Sequence, residues 1–145
     1  MEKSKSRRRD IQFFSRKNDV MFIVHNERAQ LFAQQLEGDS NVASYHPCEL
    51  LECEGISKVN PLGIRKSYLN SRANDYQWES DFLIWFANGT RGIREIVEVD
   101  SLQRKVVVER LELSRRYWAA QGICDWKIII FQNQIDEKGD TDCVF

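Results

Sequence analysis

The sequence has few of the features that define membrane proteins, disulfide-rich proteins or zinc ribbons. No apolar run approaches the ~18 residues that a membrane-spanning helix needs, and the N-terminus lacks a hydrophobic signal core. The four cysteines form no C-x-x-C pair, and only two histidines are present, so neither a zinc ribbon nor a histidine-based metal site is expected. These absences predict a cytoplasmic protein with reduced thiols and no membrane partner.

An excess of either charge is also missing, because the net charge is only −1. The chain as a whole is therefore not a basic nucleic-acid binder. The charge is unevenly placed, however, and Arg7, Arg8 and Arg9 stand in a basic N-terminal stretch. We expect residues 1–13 to form an arm that contacts DNA phosphates, with a solvated tail as the alternative, and residues 133–145 to form an acidic tail.

The length and composition are those of one globular domain, expected at residues 14–132. The chain has 145 residues, of which 42% are hydrophobic and 30% charged. A chain of this length can bury about two thirds of its unfolded surface.

The first half of this domain is expected to run strand, helix, strand. The apolar run at 19–24 predicts a strand. Asn26 can cap a helix over 27–37 through its side-chain oxygen, and Gly38 ends that helix. The next strand is predicted at 42–52, whereas residues 54–74 favour no single element.

The stretch from Trp78 to Phe131 predicts strand, tight turn, strand, helix and strand. Asn88-Gly89 indicates a hairpin turn. A helix is expected over 101–121, and the apolar run at 126–131 predicts a central strand covered on both faces. Because the helix is a crossover, this strand should lie parallel to the one ending near Asp100.

The long helix is expected to be amphipathic, with Glu109 on its polar face. Gln103 and Arg110 fall inside its apolar arc, and a polar side chain there needs a partner. Gln103 lies one turn from Asp100, so it can contact the acidic residues there, or it can bond to backbone.

Three carboxylates mark the strand ends of this stretch. Asp81 opens the first strand of the hairpin, and Glu98 and Asp100 close the second. Side chains two residues apart on a strand share a face, and pairing across the turn can bring Asp81 close to Glu98. Carboxylates at this density are typical of a site for a hard cation such as magnesium.

An aspartate followed about 14–20 residues later by E-x-K on a neighbouring strand is the nuclease pattern PD-(D/E)xK, in which the acids hold a cation that activates the phosphodiester. Here S-D-F-L-I supplies Asp81 and E-V-D supplies Glu98, 17 residues later. With F-S-R-K-N-D-V-M-F-I-V-H, L-F-A-Q-Q-L-E-G-D-S-N-V-A-S-Y-H-P and R-R-Y-W-A-A-Q-G-I, the chain resembles the TnsA-like transposon endonucleases from roughly residue 14 to residue 131.

This resemblance implies a restriction-endonuclease-like α/β fold, a mixed sheet flanked by helices in a single domain. It implies a DNA endonuclease that cuts transposon ends beside a partner transposase and other transposition proteins, using Mg²⁺ or Mn²⁺. The metal ligands would be Asp81 and Glu98, with Asp100 and Glu27 as further catalytic candidates. Gln103 and the arginines of the arm are the expected DNA contacts.

Three positions depart from the family pattern. Asp100 replaces the lysine, His46 stands where the family usually has glutamine, and Ala29 aligns with the glutamate that the family carries on its helix. Glu27 is the nearest acid to that position, but two residues along a helix are a rotation of about 200°.

These departures leave alternatives open. One alternative is a degenerate nuclease-fold module that binds DNA or a transposase without cutting. The others are a different nuclease, such as a restriction or junction-resolving enzyme, and a structural α/β protein whose acidic residues are solvated strand ends.

Overall fold

The structure, a computed structural model, describes residues 10–52, 55–56, 58–61, 63–65 and 79–131. They form one small α/β domain with a four-stranded mixed sheet, a separate two-stranded hairpin and two helices. The elements are β1 (Ile11–Ser15), β2 (Val20–Val24), α1 (Glu27–Glu37), β3 (Val42–Leu50), β4 (Glu79–Phe86), β5 (Arg91–Glu98), a 3₁₀ segment (Val99–Gln103), α2 (Lys105–Ala120) and β6 (Asp125–Phe131). None of the described helices is long and apolar enough to cross a membrane.

β2 and α1 match the sequence prediction closely, whereas β1 was not predicted. The side chain of Asn26 caps α1 by accepting a 2.8 Å hydrogen bond from the Ala29 N–H. β1 and β2 pair antiparallel, so residues 11–13, expected in the basic arm, belong to a strand. The predicted tail at 133–145 lies outside the described residues.

Glu37 ties the β1–β2 hairpin to the end of α1. Its carboxylate accepts hydrogen bonds from the hydroxyls of Ser15 and Tyr45 and from the Lys17 N–H. Burial by itself raises the pKa of Glu37, but these donors outweigh it, and the pKa lies below its usual value.

The main sheet has the strand order β3-β4-β5-β6. β4 pairs antiparallel with both neighbours, and β5 pairs parallel with β6 as the crossover predicted. The prediction of a central final strand is wrong, since within the described sheet β6 is an edge. Ile129 and Phe131 are buried, whereas Ile128 and Ile130 are half-buried.

Two apolar clusters cover the sheet. One lies under α1 and includes Phe32, Leu36, Tyr45, Phe82 and Ile84. The other lies under α2 and includes Leu83, Ile93, Leu113, Tyr117 and Trp118. The start of β4 and the end of β5 thus lie between two packed helices.

The connection from β5 to α2 differs from the prediction. β5 ends at Glu98 and residues 99–103 form the 3₁₀ segment, so Asp100 is not on a strand and α2 begins only at Lys105. The last described β5–β6 pair joins Glu98 to Phe131.

Glu109 is the other correction to α2. It was expected on the polar face, yet only 3% of it is exposed. The Arg65 guanidinium donates to both of its oxygens at 2.7–3.0 Å, and these bonds lower the pKa of Glu109 to about 2. The segment that carries Arg65 had no predicted structure, so this partner was not foreseeable.

Candidate functional site

The hydrogen-bond ladder between β4 and β5 opens at Asp81. The last ladder pair is Phe82 with Arg94, and one further step of the same register places Asp81 opposite Glu95. Side-chain oxygens then take the place of backbone acceptors. The Asp81 N–H donates to Glu95 Oε1 at 3.1 Å, and the Ile96 N–H donates to Asp81 Oδ2 at 2.8 Å.

Glu95 is enclosed and fully bonded. Its side chain has 0% exposure. Ser114 Oγ donates to Oε2 at 2.5 Å, and Arg110 Nη1 approaches Oε1 to 3.4 Å. Arg110 was predicted to need a partner inside the apolar arc of α2, and Glu95 is that partner. Glu95 cannot bind a cation without giving up these bonds.

Asp81 is the accessible member of the acid pair, because it is only partly buried. Burial, together with the negative charge of Glu95, raises the pKa of Asp81 to about 7, against the lowering effects of Arg110 and the Ile96 N–H. A carboxyl group poised near neutral pH at a strand end is a functional-site candidate.

The predicted convergence of Asp81, Glu98 and Asp100 is wrong. Glu98 lies three residues beyond the position opposite Asp81, which is about 10 Å along β5 at ~3.3 Å per residue. Its carboxylate instead bonds Arg28 of α1 at 2.8 Å. Asp100 is exposed on the 3₁₀ segment, and Glu27 is exposed in the first turn of α1.

The predicted DNA contacts remain predictions. Gln103 is exposed at the end of the 3₁₀ segment. The three arginines of the expected arm, residues 7–9, lie outside the described residues.

A second cluster has a different chemistry. Across the parts of the chain that the structure describes, one set of three metal-capable side chains has its ligand atoms within 4.8 Å of one another, and this set is His25, Cys48 and Glu79. Its residues come from the end of β2, from β3 and from the start of β4. No expected magnesium ligand belongs to it.

No protein-family profile matches the chain, and no curated protein matches it significantly. The argument for function therefore rests on the chemistry of these two clusters.

Sequence reasoning missed Glu95 although a signal was present. Glu95 follows Asp81 by 14 residues, which lies at the lower limit of the nuclease spacing. The choice between Glu95 and Glu98 depends on where the hairpin register is set, and the four residues between β4 and β5 set it. For the His25, Cys48 and Glu79 cluster the sequence holds no local signal, because tertiary folding alone brings the three together.

Proposed function

We propose that this chain is a restriction-endonuclease-like domain that acts on DNA in a transposition system, as a metal-dependent endonuclease beside a partner transposase. The observation that carries the proposal is Asp81, a partly exposed carboxylate with a raised pKa at the point where β4 and β5 separate. The chain order α1-β3-β4-β5-α2-β6 and the four-stranded mixed sheet are compatible with the α/β fold that the resemblance implies, and Asp81 lies near the start of β4.

The oxygen donors near this strand end fit a hard cation in part. Asp81 offers a carboxylate oxygen, whereas Glu95 is fully bonded and Glu98, which is bonded to Arg28, lies three residues along β5 from the position opposite Asp81. Magnesium or manganese bound there would polarise the scissile phosphate and favour hydroxide over water. The protein's own part is to hold Asp81 against the Ile96 N–H and to keep it beside the negative charge of Glu95, which favours a cation over an empty site.

The test compares the wild-type protein with Asp81→Asn. Plasmid nicking with Mn²⁺ is measured with and without the transposase, and Mn²⁺ binding is followed by calorimetry at matched salt. We expect Asp81→Asn to reduce both to background. Asp39→Asn is the matched control, because Asp39 is an exposed aspartate that accepts a backbone bond from Asn41, which asparagine can also accept. Cleavage that is unchanged in Asp81→Asn would refute the proposal.

A second candidate is a degenerate module that binds DNA or the transposase without cutting. Two observations favour it. Glu98 is bonded to Arg28. Asp100, which occupies the position of the family's lysine, lies on the 3₁₀ segment and not on a strand. DNA binding that is equal in EDTA and in Mn²⁺, unchanged by Asp81→Asn and without nicking, would support this candidate.

A further inference from the structure

Three ligand types meet beside the start of β4. His25 follows β2, Cys48 lies in β3 and Glu79 is the first residue of β4. The imidazole Nε2 of His25 lies 3.4 Å from Glu79 Oε1, with 24% and 26% of the two side chains exposed. The ligand atoms of all three lie within 4.8 Å of one another. All three side chains are thus partly shielded from solvent.

The orientation of His25 is fixed by Asp10. The imidazole Nδ1 lies 2.9 Å from Asp10 Oδ1. When the Nδ1–H donates to that carboxylate, the lone pair of Nε2 faces the carboxylate of Glu79. Two lone pairs at this distance repel each other unless a proton or a cation lies between them. A carboxylate behind the far nitrogen is also the usual outer support of a metal-binding histidine.

The backbone conformation of Cys48 is a further feature of this cluster. Cys48 has φ 58° although it lies within a strand, and a non-glycine residue there costs free energy that the surroundings must offset. Its thiol lies 3.6 Å from the Ile23 carbonyl oxygen, on the strand that leads to His25.

We propose that His25 Nε2, Cys48 Sγ and a Glu79 carboxylate oxygen bind one zinc ion, with the fourth position open to water. Nitrogen, thiolate and carboxylate together suit zinc, whereas magnesium takes oxygen ligands alone. Binding forms a Zn–S bond, and the Cys48 thiol proton leaves to solvent. The site goes beyond the proposed nuclease function, because it uses other residues and another class of metal.

The test uses the reduced full-length protein titrated with Co²⁺, followed by competition with Zn²⁺ against a chromogenic chelator. We expect one equivalent of Co²⁺, displaced by Zn²⁺, with the charge-transfer band of a thiolate–cobalt bond. Cys48→Ser should abolish that band. Asp10→Asn should weaken zinc binding by about 10–100-fold, as loss of an outer-shell carboxylate does, and His25→Gln and Glu79→Gln should weaken it more.

Matched controls come from the same chain. Cys124→Ser removes an exposed thiol, and His46→Gln removes a histidine whose partner is Glu49, so both should leave binding unchanged. Asp81→Asn should also retain zinc, which separates this test from that of the nuclease. Circular dichroism checks that each variant is folded. The proposal is overturned if the wild-type protein shows no thiolate–cobalt band, which is expected if a proton on His25, rather than a metal ion, bridges Asp10 and Glu79. A band that persists in Cys48→Ser also overturns it.

Discussion

Two clusters of ionisable side chains flank the start of β4, and the neighbours of their carboxylates differ in kind. Around Asp81 and Glu95, an arginine, a serine and two backbone N–H groups satisfy the carboxylate oxygens. Around Glu79, the atoms of His25 and Cys48 that face it are themselves electron-pair donors. The kind of neighbour, rather than the number of acids, therefore distinguishes the two clusters, and the predictions below test whether this difference separates a stabilising role from the proposed metal binding.

The largest expected effect is on the bonded cluster. Glu95→Ala leaves Arg110, Ser114 and the Asp81 N–H without their acceptor in a buried site, so the free energy of unfolding should fall by about 3 kcal/mol. Urea denaturation measures it. The control is Glu112→Ala, which removes ion pairs from a partly exposed carboxylate and should cost less than about 1 kcal/mol. Equal losses in the two variants would contradict the structural role of Glu95.

A smaller effect is expected from the titration of Asp81. Its folded pKa of about 7 exceeds the ordinary value of 3.8, so between these pH values the folded state holds a proton that the unfolded state releases. Stability in a chelating buffer should therefore fall as pH rises from about 4 to about 7 and then level off, by about 2 kcal/mol after allowance for partial exposure. Denaturation at pH 4.5 and 8 measures the change.

The Asp81→Asn variant provides the reference for that profile. It removes the titrating carboxyl group, while the asparagine side chain still accepts a hydrogen bond from the Ile96 N–H. The free energy of unfolding of the variant should therefore rise relative to that of the wild type as pH rises. Identical pH profiles for the two proteins would mean that Asp81 does not titrate in this window.

The smallest effect on stability is expected at Arg28. Arg28→Ala breaks a partly exposed ion pair with Glu98 and should cost at most about 1 kcal/mol. The same change leaves the Glu98 charge uncompensated at about 10 Å along β5 from the position opposite Asp81, so Mn²⁺ affinity near Asp81 should rise by no more than about twofold by calorimetry. Arg115→Ala, a change at another partly exposed arginine–glutamate pair, should leave Mn²⁺ affinity unchanged. A rise of about tenfold or more in Arg28→Ala would contradict this placement and show that Glu98 reaches the cation.

The sequence predicted the elements whose signals are local. Asn26 and Gly38 define α1 at both ends, the Asn88-Gly89 turn joins β4 to β5, and the crossover makes β6 parallel to β5. Each of these depends on residues within one helix turn or one connection.

What could not be predicted depends on contacts between distant segments. The hairpin register decides that Asp81 meets Glu95 rather than Glu98, and a contact from Arg65 buries Glu109. An apolar run as long as that of β6 is also compatible with an edge position, because burial of alternate residues such as Ile129 and Phe131 is enough to hold it.

The serine hydroxyls behind Glu95 also link the acid pair to two tryptophan side chains. The indole N–H of Trp118 donates to Ser80 Oγ at 2.8 Å, and that of Trp126 donates to Ser114 Oγ at 2.9 Å. The two hydroxyls lie 3.2 Å apart, and Ser114 donates onward to Glu95. Because bonds in such a chain polarise one another, a change of charge at the acid pair reaches both indoles. We therefore expect tryptophan emission to respond to proton or cation binding there.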